Sequence, residues 1–378
     1  MLVLLAVSGC TGVATTGDTD AIGTAPIGSD FRIVAEPGHG ATEVSPIQPV
    51  RLTVTDGTLT SVTLTNPAGK QVQGRHSDDD TTWTVTEPLG FAKTYTWSGE
   101  AVDSAAERYP ISGSFTTVAP DALVSARSNV GDGGTYGIAM PISITFSEKI
   151  TDKAAVERML RVKTEPKTEG SWAWLENDTA VHWRPKKYWK PGTEVHVEVP
   201  IYGVRTSEGR YGAHDLTVDF SIGRAQIVRG DTTTHRMVVI RDGKQVADYP
   251  ASYGLDSDAG RVTRSGTHVV MSKHPTYFMN NARYDYEDFE VNWAVRISNN
   301  GEFTHSAPWS VGDQGKRNVS HGCINLAPAD AKEYYDSALI GDPVEITGSD
   351  QRLTWRDGAY HDWTYSWSRW QEMSALTE

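Results

Sequence analysis

Cysteine is scarce in this sequence, and long apolar runs are absent. The 378 residues contain two cysteines, Cys10 and Cys323, and their surroundings differ so much that neither suggests a disulfide. No stretch approaches the roughly 20 consecutive apolar residues that a transmembrane helix needs. Stability must therefore come from hydrophobic cores. With 38% hydrophobic residues and 12 tryptophans, a chain of this length is expected to form several folded domains.

Positive charge is also in deficit. The chain has 35 Lys and Arg residues against 48 Asp and Glu, which gives a formal net charge of −13. Because there is no basic stripe to replace phosphate counterions, the sequence argues against a nucleic-acid partner. One local group of positive residues is interpreted as a solvated face, and its members are Arg184, Lys186, Lys187 and Lys190.

The N-terminus lacks a basic residue, which affects the interpretation of its apolar run. Residues 2–9 are apolar or small and lead directly to Cys10, as in a bacterial lipobox. We therefore expect an exported cell-envelope protein, lipid-anchored through Cys10 to the outer face of the cytoplasmic membrane. Since no Lys or Arg precedes the run, either translation starts further upstream or the export interpretation is wrong, and a chance apolar N-terminus is the alternative. Residues 1–30 are assigned to this signal and a flexible tether.

Short alternating runs, divided by turn residues, fill residues 31–120 and again residues 121–224. Period-two alternation, as in residues 51–55 and 195–199, predicts antiparallel strands with one buried face. Trp83 and Trp183 stand in similar settings in the two regions, so we predict two tandem immunoglobulin-like β-sandwiches. A short helix is expected over residues 151–162. Core packing is favoured over a sugar-stacking surface for four tryptophans of the second region, which are Trp172, Trp174, Trp183 and Trp189.

Residues 225–348 are predicted to form a third, β-rich domain, and residues 349–378 a Trp-rich extension. Alternating runs at 267–271 and 293–297 predict strands, and residues 327–339 have a helical pattern. The Tyr- and Asn-rich stretch between residues 272 and 292 is interpreted as a mobile loop that closes over a site. For the extension, a short helix over 366–376 and packing against an earlier domain are favoured over sugar binding.

A base, a thiol and a glycine turn come together in the third domain. His305 precedes the run Ser320–His321–Gly322–Cys323–Ile324–Asn325 by a short gap. A free thiol is only slightly ionised near neutrality, so a cysteine nucleophile needs a neighbouring imidazole, which His305 supplies. Gly322, lacking a Cβ, lets backbone N–H groups turn towards the oxygen of a tetrahedral intermediate. This combination is typical of nucleophilic acyl transfer.

The motif and its surroundings resemble the catalytic (YkuD-type) domain of the L,D-transpeptidases. The segment around His305, residues 303–312, and the Trp-rich tail are similar to the actinobacterial members, in which two immunoglobulin-like domains precede the catalytic one. The resemblance implies that Cys323 attacks the bond before the terminal D-alanine of a peptidoglycan tetrapeptide and transfers the acyl group to an amine of another stem. It also implies His305 as base and acid, oriented by Ser306, with His321, Gly322 and Cys323 around the oxyanion.

Further roles follow from the same resemblance. Ser320 and Asn325 are expected to steady the turn by hydrogen bonds, and Trp309 to border the pocket. In the family a lid over the pocket carries a methionine, matched here by Met279, and a tyrosine. Tyr284 and Tyr286 both come close to the position of that tyrosine. The family implies no cofactor, no metal and covalent inhibition by β-lactams of the carbapenem class, and we expect a monomer.

Three alternatives stay open at this stage. His305, His321 and Cys323 are residue types that bind zinc, although no CxxC or HExxH accompanies them. The domain could be inactive and serve a wall-binding lipoprotein. Water could also replace the amine as acceptor, which would make the protein an L,D-carboxypeptidase that trims tetrapeptide stems.

Overall fold

A computed structural model describes residues 30–175, 177–284, 286–358 and 360–376. Cys10 and the rest of the predicted signal lie outside these residues. The chain divides between Ala122 and Leu123 into two units, each described by itself below. The mainly β fold expected from the sequence is confirmed, because the described residues contain 27 strands and only three short α-helices. In this described part, no helix has the length and apolar character needed to cross a membrane.

The first unit is a sandwich of two antiparallel sheets. Alternation in its strands sends every second side chain inwards, and the core between the sheets contains Leu52, Leu64, Trp83 and Trp97. The sheets have the orders β1-β2-β5-β4 and β3-β6-β7. The strands are β1 (Arg32–Glu36), β2 (Arg51–Thr55), β3 (Gly57–Thr65), β4 (Gly74–His76), β5 (Thr82–Val85), β6 (Thr94–Asp103) and β7 (Arg108–Thr116).

The second unit begins with another set of sheets around a Trp-rich core. Their orders are β10-β18-β15-β12, β13-β14-β11-β9 and β16-β17-β8. Core packing of Trp172, Trp174, Trp183 and Trp189 is confirmed, since all four are buried. The elements are β8 (Ala122–Val124), β9 (Ala126–Ser128), β10 (Gly134–Tyr136), β11 (Ile142–Phe146), α1 (Lys153–Glu157), β12 (Arg161–Glu165), β13 (Gly170–Trp174), β14 (Ala180–Pro185), β15 (Glu194–Val199), β16 (Arg205–Ser207), β17 (Arg210–Gly212) and β18 (Leu216–Ile222).

Helix α1 is shorter than the sequence predicts. It ends at Glu157, and Arg161 already belongs to strand β12, which pairs with β15 from Arg161↔Glu198 to Glu165↔Glu194. The helical spacing of apolar residues before this point was too brief to compete with a full ladder of strand hydrogen bonds.

Two further sheets and helix α2 form the third domain, which carries the predicted site. Their orders are β21-β20-β19-β27-β22 and β23-β24-β25-β26. The elements are β19 (Gln226–Asp231), β20 (Arg236–Arg241), β21 (Lys244–Pro250), β22 (Gly266–Val269), β23 (Ser272–Asn281), β24 (Tyr286–Arg296), β25 (Phe303–Ser306), β26 (Ile324–Leu326), α2 (Pro328–Ser337) and β27 (Pro343–Thr347).

The stretch predicted to be a mobile loop is instead a β-hairpin. Strands β23 and β24 pair antiparallel, and a 3₁₀ turn at Ala282–Tyr284 joins them. Tyr and Phe favour strands, and in this stretch they alternate with polar residues, so a composition that suggested a loop also suits a pleated surface. The prediction of irregular structure here was wrong.

The C-terminal extension packs against the second set of sheets, as the sequence favoured. It ends in helix α3 (Trp367–Glu372). Trp370 is fully buried, and its indole N–H donates to the carbonyl of Ser171 at 2.9 Å. The indole of Trp363 donates to the carbonyl of Ala139 at 2.8 Å, and buried His182 pairs with Asp362 at 2.9 Å.

Arg184 does not lie on a solvated face, so that prediction was wrong. Arg184 is only 2% exposed, and its guanidinium lies over three indole rings of the extension. The guanidinium carbon is 4.7 Å from the ring centroid of Trp363, 5.3 Å from that of Trp367 and 4.8 Å from that of Trp370. Burial lowers the pKa of Arg184 to about 10. Cation–π contacts with these rings compensate for the lost hydration of the guanidinium. The three tryptophans are remote from Arg184 in sequence.

Candidate active site

Parallel pairing of two short strands brings the predicted base and nucleophile together. Strand β25 ends with His305 and Ser306, and β26 begins directly after Cys323. The register places Thr304 opposite Ile324 and His305 opposite Asn325. A parallel pair needs a crossover connection, and the gap between the two halves of the motif provides it. His305 and Cys323 line the same cavity.

One nitrogen of His305 is already engaged, which determines the role of the other. Nδ1 lies 2.9 Å from the backbone carbonyl oxygen of Ser306. A carbonyl can only accept, so Nδ1 carries the hydrogen and Nε2 keeps its lone pair. The main chain of Ser306 thus orients the imidazole, while Nε2 is the basic nitrogen available for proton transfer.

Burial favours the neutral forms of both groups. His305 is 3% exposed, and burial lowers its pKa to about 4 although the bond to Ser306 acts the other way. Burial raises the pKa of Cys323 to about 12, opposed by a hydrogen bond from the Phe303 N–H and reinforced by the charge of Glu302. The Cys323 thiol donates to the carbonyl of Gly301 at 3.6 Å. The site therefore rests as thiol and imidazole, where the sequence suggested an imidazole that holds a thiolate.

The turn before the nucleophile is held by Ser320. Its hydroxyl accepts from the Gly322 N–H at 3.1 Å and donates to the Cys323 carbonyl at 2.6 Å. Gly322 has φ +120°, while an added Cβ would meet no atom closer than 3.6 Å. Conformation and not space therefore demands glycine here. Since its N–H is bound within the turn, Gly322 does not present that group to an oxyanion in this structure, contrary to the expectation from the sequence.

Asn325 lies behind the site and links it to the segment after His305. Its side-chain amide donates to the hydroxyl of Ser310 at 3.0 Å, and its backbone pairs with Ser252 in both directions. Gln314 donates to the carbonyl of Ala307 at 3.1 Å. Together these bonds hold the 3₁₀ turn at Pro308–Ser310, which carries Trp309.

The cavity has a volume of about 320 Å³, large enough for part of a peptide. Its lining combines aromatic and sulfur-containing side chains with polar ones. Its lining residues are Met279, Phe289, His305, Trp309, Ser310, Asp313, Val319, Ser320, His321, Cys323 and Asn325.

Comparisons with known proteins agree with this geometry. Residues 225–346 match the family described as L,D-transpeptidase catalytic domain, and residues 41–205 match the bacterial Ig domain. The chain is 47% identical over 348 residues to L,D-transpeptidase 5 of Mycobacterium tuberculosis, covering 91% of this chain and 77% of that protein. It is 37% identical over 354 residues to L,D-transpeptidase 2 of the same species, covering 91% and 85%. The chain belongs to the L,D-transpeptidase family.

A solved structure supports the same assignment. It is an L,D-transpeptidase, LdtMt1, in complex with imipenem, with 35% sequence identity and a TM-score of 0.51. The similarity covers 60% of this L,D-transpeptidase family member and 100% of that chain. The resemblance drawn from the motif is therefore confirmed at the level of the family.

The hairpin of β23 and β24 borders the cavity of this family member, and one of its lining residues was missed from the sequence. Met279 pairs directly with Phe289, and both line the cavity. The ring of Phe289 meets that of Trp309 edge-on at 5.0 Å, and Trp309 lies 5.9 Å from the His305 ring at an interplanar angle of 29°. The alternation of Phe289, Val291 and Trp293 was the available signal for a strand here.

The two tyrosines considered from the sequence have different positions. Tyr284 lies in the turn of the hairpin, where its ring centroid is 4.8 Å from that of His321 and its hydroxyl 3.5 Å from Asp258. It reaches the site through His321, which lines the cavity. Tyr286 begins strand β24, and its side chain lies outside the described part of the chain.

The zinc interpretation finds no ligand set. Among the residues that the structure describes, no three His, Cys, Asp or Glu side chains converge as metal ligands would. His305, His321 and Cys323 lie around one cavity, but one imidazole nitrogen of His305 is committed to the Ser306 carbonyl.

Proposed function

We propose that this protein forms 3→3 cross-links in peptidoglycan through a cysteine acyl-enzyme, with release of the donor's terminal D-alanine. The observation that carries the proposal is the tautomer of His305. Its Nδ1–H is bound by the Ser306 carbonyl, so the basic Nε2 shares the cavity with the Cys323 thiol. This arrangement supplies a general base without requiring a charged partner.

The first half-reaction consumes a tetrapeptide donor. Nε2 of His305 removes the thiol proton as Cys323 Sγ attacks the carbonyl carbon before D-alanine. The tetrahedral intermediate collapses, the C–N bond breaks, and Nε2–H protonates the leaving amine, so that D-alanine departs and a thioester remains. Because the thiol rests neutral, thiolate forms only together with attack.

The second half-reaction returns the enzyme to its starting state. An amine of another stem attacks the thioester, Nε2 accepts its proton, and the proton then returns to Sγ as the new amide is released. If water takes the place of the amine, the product is a tripeptide. Phe289 and Trp309, in edge-on contact at 5.0 Å, place apolar surface at the cavity, which favours an amine-bearing stem over bulk water. We expect carboxypeptidase action as a side reaction only.

Purified protein incubated with disaccharide tetrapeptide tests the proposal. Mass spectrometry should detect dimers that lack one D-alanine, and Cys323→Ala should yield none. Tripeptide alone would reassign the protein as a hydrolase, and no product at all would support a non-catalytic wall-binding role.

A carbapenem provides a second test of the acyl-enzyme. Because a related protein has been solved in complex with imipenem, we expect imipenem to add its mass to the wild-type chain at Cys323 and to leave Cys323→Ala unchanged. The same mass measurement can be repeated after the protein has been treated with a metal chelator. A cysteine nucleophile should still be acylated, whereas a zinc site should lose its reaction.

Export and lipid anchoring at Cys10 are also part of the proposal, and they depend on the sequence of residues 2–10 alone. Membrane fractions of cells that express the protein should contain a lipid-modified N-terminal peptide, and Cys10→Ser should release the protein. A Cys10 variant that stays in the membrane fraction would contradict the anchor.

A further inference from the structure

A buried charged cluster lies directly beside the nucleophile, and the proposed reaction does not use it. Its centre is Glu302, which is 3% exposed. One carboxylate oxygen accepts from the backbone N–H of Arg264 at 3.0 Å and faces its guanidinium at 3.3 Å. The same guanidinium reaches Asp357 of the C-terminal extension at 3.0 Å. Burying a carboxylate so deeply is costly unless it is paired and hydrogen-bonded, as Glu302 is here.

The second carboxylate oxygen faces a histidine with an unsatisfied nitrogen. His268 is fully buried, and its Nδ1 lies 3.6 Å from Glu302. Its Nε2 is bonded to the Arg264 carbonyl at 2.9 Å, so Nε2 carries a hydrogen. Nδ1 has no hydrogen-bond partner in the described structure.

The backbone on either side of Glu302 brackets the sulfur. The carbonyl of Gly301 accepts from the Cys323 thiol at 3.6 Å, and the N–H of Phe303 donates to the same sulfur. The side chain of Glu302 also runs beside the nucleophile turn, since a Cβ added to Gly322 would lie 3.7 Å from its Cγ. Whatever holds Glu302 therefore holds the two backbone groups that contact the nucleophile.

We propose that Glu302 is a positioning residue for Cys323: anchored by Arg264 and His268, it fixes residues 301–303 around the sulfur. The inference rests on the proposed function for its role in acyl transfer. The charge of Glu302 also acts on the sulfur directly, since it adds to burial in raising the pKa of Cys323. The charged and titratable groups around Glu302 are Arg264, His268 and Asp357, and those that share the cavity with Cys323 are His305, His321 and Asp313.

The test measures the rate at which iodoacetamide alkylates Cys323 in the full-length protein between pH 6 and pH 10. Peptide mass spectrometry of residues 318–332 separates this thiol from Cys10. Glu302→Gln preserves shape and hydrogen bonding but removes the charge, so alkylation at pH 8 should become about three- to tenfold faster and the profile should move to lower pH. Glu345→Gln is the matched control, because Glu345 pairs with Arg229 in the same domain at 3.2 Å, and its profile should be that of the wild type.

A folded Glu302→Gln variant with an unchanged profile would overturn the proposal. If that variant does not fold, Arg264→Gln decides: loss of the positive partner of Glu302 should slow alkylation at pH 8 about threefold, and an unchanged or faster rate would refute the inference. Alkylation needs no peptidoglycan. A shifted profile in a protein that fails to cross-link would therefore preserve the inference about the nucleophile and reject only the proposed function.

Discussion

At the scale of single residues, the site combines weak acid and weak base in their neutral forms. The Ser306 carbonyl selects the tautomer of His305, and burial disfavours charge on both His305 and Cys323. In the proposed reaction, Cys323 is therefore activated as the substrate approaches and is not stored as a thiolate. A neutral thiol is also slow to react with oxidants, which suits an enzyme that works outside the cell, as proposed.

Replacing Ser320 with alanine removes a single oxygen atom but should damage this site substantially. The change removes the acceptor of the Gly322 N–H and the donor to the Cys323 carbonyl. We expect a loss of about 1 to 3 kcal/mol in the free energy of unfolding and a fall of roughly 10- to 100-fold in the rate of acylation by imipenem. Ser257→Ala, at an exposed serine, is the control. Equal acylation rates for the two variants would show that the turn does not depend on Ser320.

The stability of the folded protein should fall on the acid side because of His305. Its pKa is lowered by burial from 6.5 to about 4. Below pH 6.5 an unfolded chain takes up a proton that the folded protein does not, so stability is lost between about pH 6.5 and pH 4, and this group has no effect above pH 7. Urea unfolding should show a contribution of about 2 to 3 kcal/mol between pH 7 and pH 4.5. In His305→Gln the drop should shrink by that amount, and an equal drop would contradict the assignment.

At the scale of elements, the hairpin of β23 and β24 determines what faces the nucleophile. Its two faces differ, because Met279 and Phe289 form one directly opposed pair and Phe278 and Glu290 form the next. Successive residues of a strand point to opposite sides. Only the first pair lines the cavity, so one face of the hairpin borders the candidate site.

This difference offers a matched pair of variants. Phe289→Ala removes the edge-on contact with Trp309 and should lower the rate of acylation by imipenem about 2- to 10-fold. Phe278→Ala changes a similarly exposed phenylalanine, 53% against 43%, on the opposite face and should leave the rate unchanged. Stopped-flow measurement of the rate of acylation by imipenem in both variants provides the comparison. A larger effect at Phe278 would mean that the other face of the hairpin contacts the substrate.

At the scale of the second unit, the C-terminal extension joins the catalytic domain to the sheets that precede it. Its aromatic side chains enclose Arg184, and its Asp357 reaches Arg264 and so the surroundings of Glu302. The backbone carbonyl of Asp357 accepts from Asn299 and Asn300, just before the strand that carries His305. One segment thus supports both a structural core and the back of the active site.

Trp370→Ala should destabilise this unit strongly. The indole is fully buried and donates to the Ser171 carbonyl, so its removal leaves a large cavity and an unpaired acceptor, at a cost of about 3 to 5 kcal/mol. Trp355→Ala, at a tryptophan that is 40% exposed in the same extension, should cost far less. The midpoint of urea unfolding of the full chain, followed by circular dichroism, provides the measurement. Similar midpoints for the two variants would argue against a supporting role.

Local patterns in the sequence carried much of this account. Alternation in runs such as residues 51–55 and 195–199 predicted strands, and the tryptophans of the second set of sheets were expected in a core, where they lie. Both signals are local, because pleating makes every second residue of a strand share a face. The motif around His305 and Cys323 likewise indicated its family, since the residue types themselves carry the chemistry.

Contacts between distant segments decided the remaining features of the fold and the site, and such contacts cannot be recognised from local composition. Arg184 is buried because three indoles from the far end of the chain pack over it, and the Tyr-rich stretch is regular because its two strands, β23 and β24, pair with each other. The neutral state of Cys323 and the engagement of the Gly322 N–H depend on burial and on Ser320. The sequence by itself determined which groups are available for reaction. Tertiary structure alone decided how they are protonated, paired and covered, because charge and hydrogen bonding respond to neighbours in space.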